Sequence, residues 1–292
     1  MKGSCDYAAR RGSDLEPYGV YFLRLLDIPT KGTLLVENVP ELGKKDINKI
    51  DPVSIEDTYV YPAIRGADIS RWIVTPRFCV VVANKSTRKE QVPSEDALRR
   101  TSPKTFAYFS QFRNVLLHRG SNIALALAEK TSFFAAFGVG IYTFAPVKVV
   151  WQRMASTMKA AVVTDTNDLL PGKVALPTAT TSFIPFLSDE LEEAYYVCAL
   201  LNSSPAVSFF KSYSSAGRGF GSPSLINQLR LPRFDSVGVE GHTLASLAKK
   251  CHEVSSTGGS TDTAEKELDD VARTIWSLSK GEMETIWESL AK

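Results

Sequence analysis

Residues 190–234 read ELEEAYYVCALLNSSPAVSFFKSYSSAGRGFGSPSLINQLRLPRF, and the rest of the chain is organised around them. Leu191, Ala194, Tyr195, Cys198 and Leu201 recur at helical spacing, which predicts an apolar helix. Ser188 is placed to cap it, and Asp189 and Glu190 suit the positive end of its dipole. Ser204-Pro205 and Ser222-Pro223 each set a cap before a proline, the device that opens a helix. Between them the chain turns small, hydroxylated and cationic: Lys211, Tyr213, Ser214, Ser215, then Arg218 among three glycines. Such a segment, held between apolar helices, suits a polyanion, because phosphates are contacted by Arg, Lys, hydroxyls and free backbone amides. An ordinary surface loop beside a buried helix is the simpler alternative.

Working outward, 292 residues allow one large or two ordinary domains. A hydrophobic content of 44% with 23% charged residues is that of a soluble globular protein. No apolar run has the length of a membrane span, and the first residues lack the apolar stretch of a signal peptide, so a cytoplasmic location with no membrane partner is expected. Cys5, Cys79, Cys198 and Cys251 are widely separated, which predicts reduced thiols and no structural zinc. The net charge of +2 conceals an asymmetry. Residues 1–150 hold 21 Lys and Arg against 15 Asp and Glu, whereas residues 236–292 hold 6 against 10. A basic front is suited to a negative partner.

The chain before residue 190 reads mainly as strands: 20–28 and 33–39 as a hairpin, then 59–64, 78–83, 133–144, 148–153 and 160–165, with 178–187 leading into the apolar helix. Residues 1–17 read as loose or packed as an arm. Ser102-Pro103 opens a helix with Phe106, Phe109, Phe112 and Leu116 on one face. Beyond Phe234 a linker leads to three helices. The expected fold is α+β: a twisted, mainly antiparallel sheet from residues 18–187, crossed by helices at 94–118 and 188–230. The expected division is 1–235 as the main domain and 236–292 as a helical tail.

Chemistry-bearing motifs are absent from the sequence. There is no Walker loop, no G-x-S-x-G and no H-E-x-x-H. His118, His242 and His252 form no ligand pattern and read as solvated or capping. Gly138-Val139-Gly140 lacks the remainder of a dinucleotide fingerprint. No catalytic residue, metal or bound cofactor is expected.

Several blocks taken together resemble one family. YVYPAIRGADISRW (59–72), SPKTFAYFSQFRNVLLHR (102–119), KVVWQR (148–153), ALLNSSPAVSFFKSYS (199–214) with GFGSPSLINQLRLPRF (219–234), and ELDDVARTIWSLSKGEMETI (267–286) stand in the order of the TaqI-like C-terminal specificity domain. That is the target-recognition domain of adenine-specific DNA methyltransferases and restriction-modification enzymes. The resemblance implies a module that holds duplex DNA against a separate S-adenosylmethionine-binding methyltransferase domain or subunit, where the target base is flipped out. The chain has no Pro-Pro pair, so it lacks the family's catalytic Pro-Pro-aromatic motif, and it lacks the glycine-rich methyl-donor loop. A specificity part without catalytic power is expected: a fragment, a split subunit or a relative that has lost its partner domain.

Within that frame Lys85, Arg88, Lys89 and Lys211 are assigned to phosphates. Arg218 and Arg153 are assigned to base edges, where bidentate arginine-to-guanine pairing is the commonest specific contact. Ser214 and Ser215 serve either role, and Arg65 is an open candidate. Asp68 and Arg71 are expected to pair and hold the turn at Trp72. The rival reading is a protein-interaction scaffold that docks through its C-terminal helices.

Overall fold

The computed structural model describes residues 1–84, 92–188, 190–213 and 221–291. In chain order the elements are β1 (Arg10–Arg11), α1 (Tyr18–Tyr21), β2 (Phe22–Thr30), β3 (Thr33–Asn38), β4 (Val53–Glu56), β5 (Val60–Ile64), β6 (Ile69–Ser70), β7 (Ile73–Val74) and β8 (Phe78–Val81). Four helices follow: α2 (Glu95–Thr101), α3 (Pro103–Gln111), α4 (Arg113–Leu117) and α5 (Asn122–Lys130). Then come β9 (Val147–Gln152), β10 (Ala160–Val163), β11 (Leu176–Pro177) and β12 (Thr181–Phe186). The chain ends in α6 (Leu191–Asn202), α7 (Ser204–Tyr213), α8 (Pro223–Ile226), α9 (Val239–Ser256), α10 (Asp262–Ile275) and α11 (Lys280–Ala291).

The α+β, mainly antiparallel architecture with C-terminal helices is observed, but the strands divide between two main sheets. One has the order β11-β5-β8-β2-β3-β4, with only the β11–β5 pair parallel. The other has the order β1-β12-β9-β10 and is antiparallel throughout. Alternation sets the faces. In β3 every second residue (Leu34, Val36, Asn38) is buried, so one face meets a core. That core takes Leu98, Phe109, Phe112 and Leu116 from α2–α4 and the capping region after them. The second sheet packs Val149, Trp151 and Ile184 against α6, and α6 in turn packs against α9 and α10 through Leu200, Leu244, Ala248 and Leu268. This core runs without a break across residues 235 and 236.

Three expectations need correction. Residues 133–144 do not form a strand. Phe133, Phe134, Ala135 and Ala136 are all buried, so the run has no exposed face. Its backbone is instead satisfied by side chains. Arg119 donates to the Phe133 and Ala135 carbonyls at 2.6 and 2.7 Å, and Asn84 exchanges two bonds with Ala136. Ser188 does not cap α6, whose N-cap is Glu190 with no side-chain bond. His252 is neither solvated nor a cap: it lies between the Trp72 and Tyr195 rings, and its Nε2 accepts the Val162 amide at 2.9 Å. Burial holds its imidazole down to about 4, neutral as that acceptor role requires.

Candidate nucleic-acid interface

The octet after β5, Arg65 to Trp72, is built on a buried carboxylate. The Asp68 side chain has no exposed surface, and it accepts bonds from the Arg65 amide at 2.9 Å, Arg65 Nε at 3.2 Å and Arg77 Nε at 2.9 Å. A buried carboxylate requires such pairing. The expected Asp68–Arg71 pair is therefore not formed. Arg71 points the other way, to Glu265 on α10 at 2.7 Å and to the Asn202 carbonyl at 2.7 Å. Trp72 adopts a left-handed φ of 69°, which aims its indole N–H at the same Glu265, 2.6 Å away. Burial opposes ionisation of Glu265, but the Arg71 hydrogen bond and charge, with the bonds from Trp72 and Thr261, outweigh it and hold the carboxyl below its ordinary value. This lock fixes the octet to the C-terminal helices.

From there the backbone of five segments converges. The Gly66 amide donates to Thr180 Oγ1 at 2.9 Å, and Gln152 Nε2 donates to the Gly66 and Ile69 carbonyls at 2.8 and 3.0 Å. The Arg153 amide donates to the Thr180 carbonyl. The Gly221 amide donates to the Arg153 carbonyl at 3.1 Å, and Trp151 Nε1 donates to the Gly221 carbonyl at 2.9 Å. A Cβ on Gly221 would lie 2.0 Å from the Gln152 carbonyl oxygen, so only glycine permits this approach. Opposite it, Gly12 is pressed as closely on Thr178, where a Cβ would stand 2.1 Å from the carbonyl oxygen. The end of β5, the end of β9, the 178–181 turn, the N-terminal segment and Gly221 thus meet at one junction.

Of the candidate residues, Arg65 and Arg153 are brought to this junction. Arg65 is held by Asp68 and lies over the Phe78 ring at 4.8 Å, leaving its side chain 16% exposed. Arg153 is half-buried, with no ion pair or side-chain hydrogen bond among the described residues. Burial lowers its basicity first, and the nearby Arg11 guanidinium lowers it further. Tyr18 sits among these cations: burial raises its phenol, Glu16 and Asp14 add to that, and Arg11 and Arg65 oppose it. Lys211 stands apart. It is exposed in the last turn of α7 and borders a cavity of about 360 Å³ with Arg71, Lys159 and Glu265. Lys85, Arg88, Lys89, Ser214, Ser215 and Arg218 lie outside the described residues.

Sequence reasoning missed Arg11 and Arg77. Arg77 stands five residues beyond the octet, and only the buried Asp68 reveals its partner. Arg11 stood in a polar stretch whose one structural signal was Gly12. Among the described residues no cluster of three or more His, Cys, Asp or Glu could hold a metal ion, and no helix is long and apolar enough to cross a membrane.

No protein-family model matches the chain. Over 164 residues, 55% of the chain, it is 32% identical to the type II methyltransferase M.NspV of Nostoc sp. (strain ATCC 29411 / PCC 7524), and the match covers 31% of that protein. Its fold is similar to that of the type IIL restriction-modification enzyme MmeI, whose structure is in complex with DNA. The TM-score is 0.59 at 10% identity, covering 96% of this chain and 34% of that one. The chain therefore spans about a third of the length of each relative. At 10% identity the likeness to MmeI is one of fold.

Proposed function

We propose that this chain is the duplex-DNA target-recognition part of an adenine-specific DNA methyltransferase or restriction-modification system, without catalytic power of its own. The observation that carries the reading is the junction. It gathers the Arg65 turn, the Arg153 strand end and Gly221, in a chain similar to part of a type II methyltransferase. In this reading Arg153 and Arg218 contact base edges, and Lys85, Arg88, Lys89 and Lys211 hold phosphates. Ser214 and Ser215 support either contact. The division into a recognition domain, 1–235, and a helical tail, 236–292, belongs to the same reading. The partner is an S-adenosylmethionine-binding methyltransferase domain or subunit, which supplies the transfer chemistry to a flipped base.

The test is enrichment. The full chain is incubated with a pool of duplexes carrying a randomised centre, and the bound fraction is sequenced. Enrichment of one short motif is expected, with no methyl transfer to the enriched duplex when labelled S-adenosylmethionine is added. An unenriched pool overturns sequence recognition, and methyl transfer by the chain alone overturns the non-catalytic assignment.

A further inference from the structure

The N-terminal segment, read from sequence as a loose or packed arm, is built into the second sheet. Arg10 and Arg11 form β1, opposite Phe183 and Ser182 of β12. The next two residues are tied down as well: the Gly12 amide donates to the Thr181 carbonyl at 3.0 Å and the Ser13 amide to the Pro177 carbonyl at 2.8 Å. The contact of Gly12 with Thr178 leaves this segment no room to slide. Fixing the backbone fixes where two exposed guanidinium groups stand.

Their partners are few. Arg10 lies over the Tyr142 ring at 4.9 Å and has no ion pair among the described residues. Arg11 has only a loose contact with Asp14, at 3.9 Å, and its side chain is 47% exposed. Arg153, which follows β9 on the other side of β12, has no ion pair among the described residues either. Arg11 is paired across to Ser182, and Ser182 to Trp151 two residues before Arg153, so the sheet sets Arg11 and Arg153 on the strands either side of β12. Surface arginines are normally spread or paired. A set whose stems are held by backbone bonds, with only the loose Asp14 contact beside it, is suited to an anion arriving from outside.

We propose that Arg10 and Arg11 of β1, beside the base-reading Arg153, form a phosphate-binding ridge that takes the backbone of the duplex and sets its register over the junction. This rests on the DNA-recognition reading and adds to it a surface which the specificity loops do not supply. The ridge contributes position and affinity, and sequence preference stays with the loops.

The experiment is a fluorescence-anisotropy titration of the full chain against a mixed-sequence duplex, from roughly 50 to 200 mM salt. It is repeated with the Arg10→Ala/Arg11→Ala double variant. Neither side chain holds the fold together, so the variant should keep the thermal midpoint of the unaltered chain. Each lost phosphate contact lowers the slope of log K against log salt by about 0.9, so a fall of about 1.8 is expected. Affinity should drop about equally for all duplexes, with the order of preference kept. Binding with an unchanged slope overturns the ridge and leaves the recognition reading standing. A drop confined to one sequence overturns the positioning role. No binding by the unaltered chain overturns both.

Discussion

Replacing Lys148 by methionine should stabilise the protein, and the gain should fade as pH rises. Lys148 lies within β9, the strand that delivers Arg153, and is 1% exposed. Its Nζ has one acceptor, the Ala145 carbonyl at 2.6 Å. Burial pushes the amine down from 10.5 to about 7. The folded value lies below the unfolded one, so between them the unfolded chain binds a proton that the folded chain has shed. Stability therefore rises with pH across that window, and the penalty is fully present below it. Some 3.5 pH units at 1.36 kcal/mol each put the full cost on the order of 5 kcal/mol. Between pH 7 and 9 the folded amine goes from half-protonated to neutral, which relieves about 2 kcal/mol. Methionine fills similar space without the charge, and leaves only the Ala145 carbonyl without its donor. Urea unfolding of both proteins at pH 7, 8 and 9 reads the difference directly, and groups common to both cancel. The stability gap should narrow by about 2 kcal/mol over that range. A gap that stays constant would show the amine charged and solvated within the fold, and would refute the reasoning.

Two further substitutions test the frame around the junction. Glu265→Ala removes the partner of both Arg71 and the Trp72 indole, and should cost roughly 3 kcal/mol by urea unfolding at pH 7. Because the folded carboxyl titrates below its ordinary 4.5, its contribution is present above that value and lost as pH falls through the lower one, so the gap should shrink in acid. Gly221→Ala places a methyl on the Gln152 carbonyl oxygen. It should displace the loop closure and lower DNA affinity at least tenfold by anisotropy, while far-UV circular dichroism stays that of the unaltered chain.

Much of the fold was legible because it follows from local pattern. The hairpin over 20–39 turns at Lys31-Gly32, where Gly32 takes a φ of 85° that glycine accepts freely. KVVWQR and the apolar run before Thr164 are adjacent antiparallel strands, as their β-branched content suggested. Ser222-Pro223 does open a helix, and the three tail helices stand where their apolar spacing put them. What failed was the reading of runs that are buried on every side. FFAAFG has the composition of a strand, yet its bonds go to Arg119, Tyr21 and Asn84, residues distant in sequence. Local pattern put the strands in one sheet where two main sheets are found, since nothing in β9 or β12 tells which sheet they join. At the candidate site, Arg65 and Arg153 were named from the sequence, but not the contacts that bring their segments together. The Asp68 pairing with Arg65 and Arg77 could not be picked out either, because a dense octet offers several equivalent ion pairs. Arg11 was invisible for a related reason: its position depends on Thr178 and Thr181, more than 160 residues further along the chain.

The most direct measurement of the central claim is the affinity of the full chain for a mixed-sequence duplex and for a duplex carrying the enriched motif, from low to physiological salt, for the unaltered chain and for Arg153→Ala and Arg218→Ala. Recognition of duplex DNA predicts affinity that falls steeply with salt, a preference of at least tenfold for the motif, and loss of that preference in each arginine variant. Affinity that is indifferent to salt, or binding in which neither arginine changes the preference, would contradict the account and favour docking of a protein partner on the C-terminal helices.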